Sequence, residues 1–256
     1  MMQVLTPPNG LEIYQSSLLQ SYHSLIHAFS TRDGGVSSGG FRSLNLGFSV
    51  ADAGANVAEN RRRFYATLGI SAQNIAEGRQ VHSANVAVVA EPGIYADTDA
   101  LVTGTEEIIL AIKTADCIPL LLYDPVQAVV GLVHAGWRGV QRGIIPAALQ
   151  RMQMDFNCKA ADCIAVIGPG AQKCCYEIQA DVASGFSPAI VEKREGKMYL
   201  DLASGIVNQL TNWGIYPQNI DKLSLCTICN EDKFYSYRRD ADRSGRMMSI
   251  IGIRGV

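Results

Sequence analysis

Cys117 and His134 lie on two neighbouring apolar runs joined by Asp124-Pro125-Val126-Gln127. The runs are Cys117–Tyr123 and Ala128–Val133. Asp followed by Pro is a turn signal: the carboxylate can hydrogen-bond the backbone ahead, and the proline ring pre-sets φ at the next position. The pattern predicts a β-hairpin. If Asp124 pairs with Gln127, Cys117 stands opposite His134, and directly opposed residues have Cβ atoms about 4.5–5.5 Å apart. The register would thus put a thiol beside an imidazole at the hairpin's open end. Lys113 and Asp116 come just before it, and Trp137-Arg138 just after. A slip of one residue would separate the pair, because side chains alternate faces along a strand. Pro119 inside the first run calls for an edge position or a bulge.

Two chemistries suit such a pair. His134 could deprotonate Cys117, whose thiolate would attack an acyl or amidine carbon. Alternatively Cys117, His134 and a second histidine, His82, could hold a metal. Two imidazoles and a thiolate suit Zn²⁺, and three protein ligands leave a fourth position open. The same donors resemble a blue-copper set. Multicopper oxidase chemistry, however, needs many imidazoles, and the chain has four: His23, His27, His82 and His134. His23 and His27 lie four apart in a β-leaning stretch and read as structural. Cys226-x-x-Cys229 has no partner pair at finger or ribbon spacing, and the adjacent Cys174-Cys175 is poorly placed to chelate one ion. All four read as structural cysteines.

These residues need elements to position them. A strand is expected over Ser24–Ser30, followed by a Gly/Ser-rich loop in which Arg32 and Asn45 are candidates for anchoring a polar ligand. Val57, Phe64 and Leu68 predict a helix over 56–69 closed by Gly69, with Arg61-Arg62-Arg63 on its solvated face. Strands are expected over 79–91, with His82 at its start, and over 108–114 and 163–170. Helices are expected after Gly139 and after Asp201, the latter closed by Gly214. LSLCTICN reads as a strand, and residues 234–253 as two short strands around a polar turn. Strands and helices interleave without repeat or linker, which predicts a single α/β domain with mixed β-sheets over residues 1–256.

The 256-residue chain carries a net charge of −2 and has a pI near 6.1, which gives no footprint for nucleic acid. No apolar run reaches the roughly 20 residues of a membrane span. The N-terminus lacks signal-peptide features, and seven cysteines read as reduced thiols, so a cytoplasmic location is expected. Nothing sets the oligomeric state.

The chain resembles the bacterial YfiH/YlmD family, known variously as laccase-domain polyphenol oxidases, purine nucleoside phosphorylases and peptidoglycan editing factors. The resemblance runs almost end to end. It rests on Ser30-Thr31-Arg32-x-Gly34-Gly35-Val36-Ser37, Asn45-Leu46-Gly47, Gln80-Val81-His82, Asp99-Ala100-Leu101-Val102-Thr103 and Thr114-Ala115-Asp116-Cys117. It continues through His134-Ala135-Gly136-Trp137-Arg138-Gly139, Cys175-Tyr176-Glu177-Ile178, Cys226-Thr227 and Phe234–Asp240. The resemblance implies α/β/β/α layers like those of the cytotoxic necrotising factor deamidases. It implies a zinc site of His82, Cys117 and His134, with copper the alternative metal, and catalysis by the same three residues. It also implies phosphorolysis of adenosine, inosine, guanosine and methylthioadenosine, with adenosine deamination; a Cys–His amidase editing a peptidoglycan precursor is the alternative. Purine nucleoside and phosphate would then be the partners, with Arg32 and Asn45 the candidates for binding them.

Overall fold

In a computed structural model, residues 2–5 and 10–255 are described. Among the described residues sixteen strands run in chain order: β1 (Met2–Leu5), β2 (Ile13–Ser16), β3 (Leu25–Ser30), β4 (Ile75–Gly78), β5 (Val86–Val88), β6 (Gly93–Tyr95), β7 (Ala100–Thr103) and β8 (Ile109–Thr114). They continue with β9 (Ile118–Asp124), β10 (Val129–Ala135), β11 (Ile164–Ile167), β12 (Glu177–Ile178), β13 (Val191–Arg194), β14 (Lys197–Leu200), β15 (Ile220–Lys222) and β16 (Met247–Ile253). One sheet has the order β1-β2-β3-β16-β8-β4-β6, a second β15-β11-β9-β10-β7-β5, and a small third β12-β14-β13. Both large sheets mix parallel and antiparallel pairs.

Alternation along the strands builds the layers. On β10, Val130 and Leu132 face the first sheet, meeting Phe29, Leu110, Ile112 and Ile251. Val129, Val133 and Ala135 face the other way, onto helices Ile144–Phe156 and Leu202–Trp213. The outer face of the first sheet buries Ile26, Ile109 and Ile250 against Phe64, Tyr65 and Leu68 of helix Gly54–Leu68. Helix, sheet, sheet and helices therefore stack as α/β/β/α, with near-continuous apolar runs in the central strands because both faces are covered.

The hairpin forms with a longer turn than the sequence suggested. Asp124 pairs with Val129, so His134 stands opposite Pro119. Asp124 Oδ1 accepts from Val126 N and Gln127 N, and Ala128 takes a φ of 51°. The register is shifted by two residues, and an even shift keeps Cys117 and His134 on the same face. Pro119 lies in a central strand, not an edge. Its carbonyl accepts from Gly168 N where β11 has ended, and His134 N–H points away to Asp99 O. No ladder bond needs the missing proline N–H.

Three other expectations change. Within 79–91 only Val86–Val88 is strand, and His82 lies in a loop with φ 60°. LSLCTICN is irregular, with one isolated bridge at Cys226 followed by a turn over 227–229. Residues 234–253 form a short helix, Tyr237–Asp240, a 3-10 turn, Ala241–Arg243, and one strand, β16. Ser236 caps that helix by accepting from Arg239 N, while Arg238 N bonds Asp116 Oδ2. These contacts override the β-leaning aromatic pattern. The helix expected after Gly139 is two, Trp137–Gln141 and Ile144–Phe156, broken at Gly143 with φ 81°.

Candidate metal centre

At the open end of the hairpin, one ligand atom from each of His82, Cys117 and His134 falls within 4.8 Å of the others. Cys117 Sγ is 3.8 Å from His82 Nε2, and the two imidazole rings meet edge to face at 4.9 Å. Zinc bonds of about 2.1 Å to nitrogen and 2.3 Å to sulfur at a tetrahedral angle imply an N···S separation of about 3.6 Å. The donor set and its spacing fit one such ion. Gly136 leaves the room: a Cβ there would come within 2.9 Å of Cys117 Sγ and 3.1 Å of His82 Cδ2.

Asp99 organises both histidines, although the sequence reading named it only within a motif block and gave it no role. Its Oδ1 lies 2.8 Å from His134 Nδ1, which turns Nε2 toward the centre. Its two carboxylate oxygens also accept from the backbone of Val81, His82 and Ser83, and from Ser83 Oγ. Those bonds hold His82 in its left-handed conformation, which costs energy for a non-glycine residue. Gln80 adds a second tether, exchanging side-chain bonds with Lys113 N and O on β8. Burial opposes the charge on Asp99, but the bonds from His134 and Ser83 outweigh it and hold the carboxyl well below its usual range. The same balance acts between half-buried Cys117 and buried His134: desolvation resists charging, yet each favours the other's charged form, so Cys117 is shifted down and His134 up.

Asp116, next to Cys117, has a φ of 93°. Its side chain accepts from Thr227 Oγ1 at 2.7 Å and from Arg238 N at 2.7 Å, and its carbonyl from Ala171 N. These contacts fix the backbone turn that presents Cys117. Tyr176 forms part of the same wall. Its phenol is raised first by burial and then by the nearby Cys117, and Arg238 stacks over its ring. Arg246 also lies in the field of Asp116, Tyr237 and Cys117. Tyr176 stood inside a motif block, but nothing in the spacing of Tyr176 or Arg246 pointed to a site formed by loops distant in sequence.

The two expected ligand anchors are engaged in the scaffold. Arg32 Nε donates to Arg42 O and Nη1 to Glu231 O, and its guanidinium lies over Tyr235. Asn45 is fully buried; its Oδ1 accepts from Gly47 N and Arg246 N, and its Nδ2 donates to Asp52. Arg138 stacks on Trp137. His27 lies in β3, where its Nε2 accepts from Ser16 N, so it is a structural residue of the first sheet.

A two-sheet sandwich carrying a His/His/Cys donor set at one end defines the class. The family described as "Multi-copper polyphenol oxidoreductase laccase" matches residues 26–254. A Deinococcus radiodurans protein named purine nucleoside phosphorylase is 41% identical over 232 residues, 89% of this chain and 88% of that protein. The purine nucleoside phosphorylase YlmD of Bacillus subtilis is 31% identical, across 98% of this chain and 96% of its own. The crystal structure of YlmD from Geobacillus stearothermophilus matches with a TM-score of 0.91 at 30% identity, over 98% of this chain and 99% of that one. The chain belongs to this YfiH/YlmD family. The family description mentions several coppers; among the described residues, one cluster combines histidine and cysteine ligands.

Proposed function

We propose that the protein is a zinc-dependent purine nucleoside phosphorylase acting on adenosine, inosine, guanosine and methylthioadenosine, and that it also deaminates adenosine. The convergence of His82, Cys117 and His134 carries this reading, and the names of the relatives direct it to purine nucleosides. When bound, zinc would supply a Lewis acid with an open fourth position. The chain's own residues do the rest. Asp99 keeps the Nδ1 proton on His134 and leaves Nε2 as the donor. Arg246, held through Nη1 by Ser244 O and Gly245 O, supplies fixed positive charge beside the centre, suited to orienting an anionic phosphate attacking C1′. Asn45 acts on that arginine by bonding its backbone N–H, and Arg32 steadies the adjoining loop. Phosphorolysis breaks the bond from C1′ to the purine nitrogen and gives free base and ribose 1-phosphate. Deamination replaces the C6 amine by oxygen from water and releases ammonia.

The test is a parallel assay of inosine cleavage with and without phosphate, on wild type and Cys117→Ala, with zinc measured on both. Hypoxanthine should appear only with wild type and phosphate. Phosphate-independent cleavage, or full activity of a zinc-free protein, sinks the proposal. A second reading has its own support, since a depressed thiol beside a raised imidazole also suits a nucleophile and its base in an amidase that edits a peptidoglycan precursor. A substrate-derived covalent adduct on Cys117 during turnover would select it.

A further inference from the structure

Cys174, Cys175, Cys226 and Cys229 converge on the side of the molecule next to the candidate centre. All four sulfurs lie within 4.8 Å of one another, with Cys229 Sγ 3.4 Å from Cys174 Sγ and 3.0 Å from Cys175 Sγ. In sequence, Cys226-x-x-Cys229 lacks a partner pair at the usual spacing, and Cys174-Cys175 is poorly placed to chelate. The fold makes them one set, because the turn after β11 and the turn after β15 are brought together by a parallel bridge between Gly170 and Cys226. A tetrahedral ion with metal–sulfur bonds of about 2.3 Å requires sulfur separations of about 3.8 Å. The two shortest contacts, 3.0 and 3.4 Å, are tighter than that and no pair exceeds 4.8 Å, so small side-chain movements would reach it.

We propose that these four cysteines form a structural zinc site. Each thiol gives up its proton to solvent on binding, leaving a tetrathiolate of formal charge −2 around the ion. Two features of the surroundings suit that charge. First, Cys226-Thr227-Ile228-Cys229 folds so that backbone N–H groups face the first sulfur. Gln172 N–H donates to Cys226 Sγ at 3.5 Å, and the N–H groups of Ile228 and Cys229 bond the same sulfur. Second, a guanidinium braces each turn. Arg194 Nη2 donates to Lys173 O and Cys174 O, and Arg239 Nη1 donates to Thr227 O and Ile228 O. A disulfide would use two of the four sulfurs and give no reason for the other two to converge.

The site would act as a clip. Cys175 immediately precedes Tyr176, and Cys226 immediately precedes Thr227, whose hydroxyl bonds Asp116. Closing the four thiolates on one ion therefore fixes two residues in the wall around Cys117. Loss of the clip should loosen that wall without removing any ligand of the first centre.

The proposal stands apart from the catalytic reading, and metal analysis separates them. Zinc should remain at about one equivalent per chain in Cys117→Ala, and should be lost when Cys229→Ser is added. Cobalt-loaded Cys117→Ala should show intense sulfur-to-cobalt charge-transfer absorption and tetrahedral d–d bands. X-ray absorption at the zinc edge of the wild type, which depends on no variant folding, should find a sulfur-rich average shell. A shell dominated by nitrogen and oxygen overturns the proposal, as does a metal-free Cys117→Ala that takes up cobalt without those bands. Intact mass of unreduced protein showing a Cys175–Cys229 disulfide overturns it too.

Discussion

Asp99 is the residue on which the geometry of the candidate centre turns. One carboxylate fixes the ring of His134 and, through three backbone N–H groups, the loop carrying His82. Outer-shell partners of this kind typically contribute 10- to 100-fold in metal affinity, by the order-of-magnitude rule for ligand-orienting groups. Asp99→Asn should therefore weaken zinc binding at the first site about 10- to 100-fold in a chelator competition, with the fold intact by circular dichroism. An unchanged affinity would mean that the ligands are oriented without it. His27 makes a separate prediction. Burial holds this histidine neutral and pushes its pKa down to about 4, against 6.5 in the unfolded chain. Below pH 6.5 the unfolded state binds more protons, so stability falls with pH until the folded pKa is reached. The contribution lost on going from pH 7 to pH 5 is about 2 kcal/mol. Urea denaturation at the two pH values should show that much less acid sensitivity in His27→Gln than in wild type. Equal sensitivity would mean that the buried imidazole titrates normally.

Elements differ in how much of them the sequence disclosed. Helix Gly54–Leu68 was legible because its apolar residues recur at helical spacing and Gly69 closes it in the left-handed region, φ 64°. The hairpin was legible as a hairpin and misjudged as a turn. Asp124 announces a turn, but nothing in the composition says that Ala128 will adopt positive φ and lengthen the loop. Parity rescued the site, since a shift of two residues returns Cys117 and His134 to one face. The C-terminal helix Tyr237–Asp240 was not legible, because Asp116, over a hundred residues away, binds its backbone. The cysteine cluster was hidden for the same reason, two turns meeting across the fold. Ala128 itself is exposed, and alanine in the left-handed region is strained by roughly 1–2 kcal/mol. Ala128→Gly relieves that strain but adds freedom to the unfolded chain, which returns roughly 0.4–1 kcal/mol. The net expectation is a gain of about 0.5–1 kcal/mol in urea midpoint analysis, with Ala128→Val destabilised. A loss on substitution by glycine would show that the turn closes differently.

At the scale of the molecule, the two large sheets share one interior, and β10 lies at its middle. Its inward residues pack on the first sheet and its outward residues on the helices Ile144–Phe156 and Leu202–Trp213. The site needs both sheets: β4 and β8 of the first sheet anchor the loop of His82, while β9 and β10 of the second flank Cys117 and carry His134. Such a centre keeps its ligands together only if the sheets stay docked, which is why we propose that residues 1–256 behave as one cooperative domain. Leu132 tests this, being fully buried between the sheets. Leu132→Ala should cost about 2–5 kcal/mol, the range for truncating a buried leucine. The loss should appear equally in hydrogen exchange of the slowest amides on β16 and on β10, because both protections report the same global opening. Circular dichroism and tryptophan fluorescence should trace one coincident urea transition in wild type and variant. Protection lost on β10 alone, with β16 unchanged, would show the sheets to be separate folding units that merely touch at the candidate centre.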